Sequence, residues 1–147
     1  MTYPTPYISF PGTAREALTV YGSVFGGTVT LHTFADFGRD DGPAEAIAHG
    51  YLEGPVVIFA SDAVGAERPV RMEGFMLSLL GAADPATLRR WFAALADGGR
   101  VVDDLQVRPW GASDGQVVDR FGLHWLVGFE GPEEGSGDSA DSRAAAD

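Results

Sequence analysis

Apolar and polar residues alternate along Tyr7-Ile8-Ser9-Phe10, the period of a half-buried strand. From residue 13 to 25 the spacing becomes helical. Ala17, Leu18, Tyr21 and Phe25 fall on one stripe, and Gly26-Gly27 ends the helix. The same succession returns further along. Phe75-Met76-Leu77-Ser78-Leu79 alternates, Leu88, Trp91, Phe92 and Leu95 form a second stripe, and Gly98-Gly99 closes it. The copies lie about 70 residues apart, half the chain, which predicts a duplicated unit.

Each copy continues with strand-like segments. Thr28 to Phe34 is rich in β-branched residues and alternates. Residues 35 to 46 hold two glycines, a proline and several charges, so they read as a long loop. Ile47 to Glu53, a Gly54-Pro55 turn and an apolar run from Val56 to Ala60 complete the first copy. The second predicts a strand over 75–80, a helix over 85–97, a strand over 100–103, another within 105–118, and a last strand from Leu123 to Phe129. The expectation is an α+β domain made of βαβββ modules at 1–61 and 74–130, joined by a linker at 62–73. The pattern predicts a mixed sheet, with helices on one face and the other face open.

Composition narrows the function classes. The 45% hydrophobic content of the 147 residues suffices for one sizeable core. Ten scattered Lys and Arg within a net charge of −11 argue against nucleic acid, whose phosphates need clustered cations, and against an anionic membrane surface. No apolar run approaches the roughly 18 residues that span a bilayer, and no charged-then-apolar leader is evident. Without cysteine there are no disulfides, thiolate metal sites or Cys nucleophile. These features lead us to expect a soluble cytoplasmic protein. Residues 131–147 carry Glu133, Glu134, Asp138, Asp141 and Asp147 against Arg143 and no large apolar residue, so an acidic disordered tail is expected.

Several segments resemble the vicinal-oxygen-chelate superfamily of glyoxalase, bleomycin-resistance and extradiol-dioxygenase proteins, in its PhnB-like branch. They are Pro6-Tyr7-Ile8-Ser9-Phe10 leading to Glu16-Ala17 and Tyr21, then Ala48-His49-Gly50-Tyr51, and Phe59-Ala60-Ser61-Asp62. The most telling is Pro109-Trp110-Gly111 running to Val118-Asp119-Arg120-Phe121-Gly122-Leu123-His124-Trp125. The resemblance covers residues 5 to 129. It implies two modules whose strands form a cupped sheet around a ligand site, helices outside, and a homodimer, for which exposed sheet edges also argue.

Enzymes of this superfamily usually hold a divalent metal on the first and last strand of each module. The matching positions are Thr5, Ile58, Met76 and Leu126, none of them a His or carboxylate. A catalytic metal needs about three strong donors, so we expect neither metal nor other cofactor. His32, His49 and His124 follow no metal-ligand spacing. Alternation instead predicts a pocket lined by Tyr7, Ser9, His32, Phe34, His49, Tyr51, Ser78, Trp110, His124 and Leu126, aromatic with a few polar groups. The leading expectation is a metal-independent protein holding an aromatic or amphipathic organic ligand. The alternative is a lyase, isomerase or dioxygenase-like enzyme with His49 or His124 as acid/base. Packing in the core or at an interface would also explain some of these aromatics.

Overall fold

A computed structural model describes residues 3–131; the acidic tail expected at 131–147 lies outside the described residues except for Gly131. The elements run β1 (Tyr7–Phe10), α1 (Ala14–Phe25), β2 (Thr28–Thr33), β3 (Ile47–Glu53), β4 (Ile58–Asp62), β5 (Leu77–Leu80), α2 (Pro85–Ala96), β6 (Arg100–Val107), β7 (Ser113–Val118) and β8 (His124–Phe129). The chain divides into two compact units, the first ending at Arg71 and the second beginning at Met72. The fold class is α+β with two βαβββ modules, each carrying its own four-stranded mixed sheet. The strand order is β1-β4-β3-β2 in the first and β5-β8-β7-β6 in the second. In each module the first strand runs parallel to the last, and the other pairings are antiparallel. The duplication read from the periodicity is thus a duplication of topology. Among the described residues no helix is long and apolar enough to cross a membrane.

In the first unit, α1 buries Ala14, Ala17, Leu18, Tyr21 and Phe25 against the sheet face that carries Ile8, Phe10, Leu52, Ile58 and Ala60. Removing such apolar area from water is the main stabilising term, about 1.5–3 kcal/mol for each large side chain. Thr13, ahead of α1, makes no side-chain cap. The buried Asp62 supplies the acceptors instead. Its Oδ1 accepts from the Ala14 N–H at 2.8 Å and its Oδ2 from the Ile47 N–H at 2.8 Å, which ties the helix start to the entry of β3. The second unit relies on a side-chain cap, with Asp84 accepting from the Thr87 N–H ahead of Pro85.

The Asp-Arg-Phe-Gly turn serves a similar purpose in the second unit. Asp119 Oδ1 accepts from the N–H groups of Phe121 and Leu123, and Oδ2 from the indole N–H of Trp125 at 2.8 Å. Gly122 takes φ 88°, which a side chain would strain. The paired glycines have a packing reason as well. A Cβ on Gly27 would collide with the Glu53 carbonyl, and one on Gly99 with the Val118 carbonyl.

Several boundaries differ from the sequence reading. β4 begins at Ile58 rather than Val56, and β5 at Leu77, leaving Phe75 61% exposed instead of packed under the helix. β6 runs to Val107 because an ion-pair cluster holds its end. Arg108 bridges Asp103 at 2.6 Å and Asp114 at 2.8 Å.

Candidate functional site

The face of the first sheet turned away from α1 is decided by pairing register. Tyr7 stands beside Phe59, Phe59 beside Tyr51, Tyr51 beside Thr30, and His49 beside His32. Neighbouring strands lie about 4.8 Å apart, so rings on one face meet across the strands. Six of them form a continuous platform. The His49 ring lies 5.6 Å from Tyr7, 5.8 Å from Phe59, 5.6 Å from Tyr51 and 6.4 Å from His32, while His32 stacks on Phe37 at 5.2 Å. These are offset-stacking distances, and the two imidazole planes are within 3° of parallel. Tyr7 is 54% exposed and Phe37 52%, and the four rings between them are half-buried. This face of the sheet is therefore aromatic and partly open to solvent. Its main polar feature is a hydrogen bond of 3.0 Å between Tyr7 Oη and His49 Nδ1.

The expected pocket residues distribute as follows. Tyr7, His32, His49 and Tyr51 are brought together on this platform, and Ser9 shares the face of β1 with Tyr7. Phe34 is not on it. A bulge between His32 and Thr33 breaks the alternation. Phe34 is consequently 1% exposed, with the Arg39 guanidinium 4.2 Å from its ring centre. Ser78, His124 and Leu126 belong to the second unit. There Leu126 pairs with both Ser78 and Gln116 on the sheet face opposite Trp125 and Val127. His124 Nε2 lies 2.9 Å from Gln116 Oε1, and its backbone N–H meets the Met72 sulfur. Trp110 sits in the turn before β7, 72% exposed. With Leu80, Asp114 and Phe129 it borders a shallow cavity of about 280 Å³. The Asp103 and Asp114 carboxylates on Arg108 raise that guanidinium above its ordinary range, so it stays a fixed cation beside the cavity.

Sequence reasoning missed Phe59, Phe37 and Gln116. The reading of β4 was one residue out. Ile58, matched above to a ligand position of the superfamily, is fully buried on the helix side with Ala60, and Phe59 and Ser61 take the open face. Val56 to Ala60 is apolar throughout and carries no alternation. The available signal was Asp62, whose parity with Ile58 and Ala60 becomes plain once a buried acceptor is needed there.

The donor set does not fit a divalent metal. Of the four positions matching the superfamily's ligands, Ile58 is buried under α1 and the others offer at most a hydroxyl or thioether. His32 and His49 adjoin each other without a third strong donor. Among the described residues no group of three or more His, Cys, Asp or Glu could hold an ion.

No model of a known protein family matches the chain. It is 34% identical to protein PA1353 of Pseudomonas aeruginosa, whose crystal structure superposes with a TM-score of 0.72 over 90% of this chain and all of that one. It is 26% identical to Escherichia coli protein YjdN over 137 residues, covering 84% of this chain and 92% of YjdN. The PhnB protein of Bacillus cereus shares the fold at 17% identity, with a TM-score of 0.69 over 87% of this chain and 99% of that one. The chain is thus a relative of PA1353 and shares the two-module βαβββ fold of the PhnB protein, consistent with the vicinal-oxygen-chelate superfamily in its PhnB-like branch.

Proposed function

We propose that this is a metal-independent small-molecule-binding protein of the glyoxalase/bleomycin-resistance type, holding an aromatic or amphipathic organic ligand against the platform of the first unit. The observation that carries this reading is the six-ring array of Tyr7, His32, Phe37, His49, Tyr51 and Phe59 on the face that α1 leaves uncovered. A flat ligand stacked there buries apolar area and gains the offset-stacking term of about 0.5–1.5 kcal/mol per ring pair. Ser9 lies on the same face as the platform, and within the second unit Ser78, His124 and Leu126 are proposed to line the open face of its own sheet.

The protein acts in this reading as a cytoplasmic homodimer. The exposed Phe75, Leu80, Val107 and Trp110 supply apolar surface for a twin to cover.

An enzyme reading is favoured by one observation, the His124–Gln116 contact on the open face of the second sheet. An imidazole held through one nitrogen keeps the other for proton transfer. Native mass spectrometry of protein taken from its own cells tests both readings. A retained aromatic compound returned unchanged supports binding, a chemically altered one supports the enzyme, and retention that survives loss of the platform rings refutes the proposed location.

A further inference from the structure

The Tyr7–His49 hydrogen bond fixes more than a ring position. A neutral imidazole has one donor nitrogen and one acceptor nitrogen, and which is which follows from the bond that either one makes. Here Nδ1 faces the Tyr7 hydroxyl at 3.0 Å. A phenol is protonated at neutral pH, and its oxygen is a better donor than acceptor because the lone pair is drawn into the ring. Donation from Tyr7 to Nδ1 would place the imidazole proton on Nε2. Among the described residues of the first unit no hydrogen bond engages Nε2, although the ring sits at the centre of the platform among Tyr7, Tyr51, Phe59 and His32. His32, the parallel neighbour, is itself stacked against His49 and Phe37.

We propose that Tyr7 is a positioning residue that holds His49 as its Nε2–H tautomer. The platform then offers a ligand one directed donor, and selects flat aromatic compounds that carry a hydrogen-bond acceptor, such as a ring nitrogen or carbonyl oxygen, at their edge. This rests on the platform being the ligand site. It also assigns His49 a role different from that of a proton-abstracting base, since the nitrogen available to the ligand already carries its proton. An apolar compound of equal shape leaves that N–H without a partner and is discriminated against.

Two measurements separate the inference from the reading beneath it. The first needs no ligand. Long-range proton–nitrogen NMR of the uniformly ¹⁵N-labelled protein at pH 8 reports the tautomer of each histidine. His49 is expected to show a protonated Nε2 and a bare Nδ1. Tyr7→Phe should move both nitrogens toward the averaged values of a free imidazole and leave the His124 signals in place. A protonated Nδ1 in the unaltered protein, or a His49 spectrum unmoved by Tyr7→Phe, overturns the proposal.

The second compares quinoline with naphthalene, which have the same shape and differ by one acceptor nitrogen, by titration at pH 8. Quinoline should bind about three- to tenfold more tightly, the worth of one neutral hydrogen bond. Tyr7→Phe should shrink that ratio toward one. Equal binding of the two compounds to the platform rings overturns the donor assignment and leaves the platform standing. If neither compound shifts a platform ring at saturating concentration, both fall.

Discussion

Asp62→Ala removes the acceptor that joins α1 to β3, and its cost follows from the geometry. The carboxylate is 5% exposed and takes the Ala14 N–H on one oxygen and the Ile47 N–H on the other, both at 2.8 Å. Alanine leaves two buried donors without partners, each costing about 1–3 kcal/mol. Thr13 makes no side-chain cap at the start of α1 to stand in for it. A total of about 2–6 kcal/mol is therefore expected, a large share of the roughly 5–15 kcal/mol that holds a typical domain folded. At about 2–4 °C per kcal/mol for a chain of this size, melting should fall by about 4–24 °C. Asp62→Asn should fall between wild type and Ala, since the amide keeps one acceptor and turns a donor toward the second N–H. Calorimetry on the three proteins, with Ser61→Ala as the open-face control expected within about 0.5 kcal/mol, gives the answer. An Asp62→Ala melting point within about 2 °C of wild type would refute the reasoning.

Phe59→Ala should destabilise the fold only modestly, because the ring is half-buried on the open face, and should weaken aromatic ligands by about tenfold, read by titration calorimetry. His124→Ala should leave melting nearly unchanged and weaken a compound held on the open face of the second sheet by about 0.5–1.5 kcal/mol; unchanged affinity would remove that residue from the enzyme reading. Hydrogen bonds from the Thr87 hydroxyl, then the Thr87 N–H, hold the Asp84 carboxyl below the usual carboxylate range. Its contribution is thus present above the unfolded value of about 3.9 and lost as pH falls through the lower folded value, so Asp84→Ala should flatten the loss of stability from about pH 5 downward. Zinc, nickel or iron should leave melting where EDTA leaves it; a reproducible rise near the 2.7 kcal/mol given by a ligand at about 100 times its Kd would refute the donor-set argument.

Much of the fold was legible because it is written twice. Two amphipathic stripes, two Gly-Gly steps and two alternating strands mark in the sequence the two βαβββ modules of the fold. The rest required partners far apart in sequence. β4 could not be oriented from an all-apolar run, and only its parallel pairing with β1 puts Phe59 beside Tyr7. Phe34 looked like a continuation of β2, but the bulge after His32 turned it inward. Tyr7, His32, His49 and Tyr51 were readable by alternation. That they form one platform was not, because cross-strand neighbours depend on register rather than spacing.

The central claim is that this aromatic face is the ligand site, and NMR titration of the platform rings tests it most directly. With quinoline added to the ¹³C-labelled protein, the ring signals of Tyr7, His49, Tyr51 and Phe59 should shift together, along one saturable curve. Phe59→Ala should weaken that curve by about tenfold. Saturable binding that leaves these four rings unmoved would contradict the account.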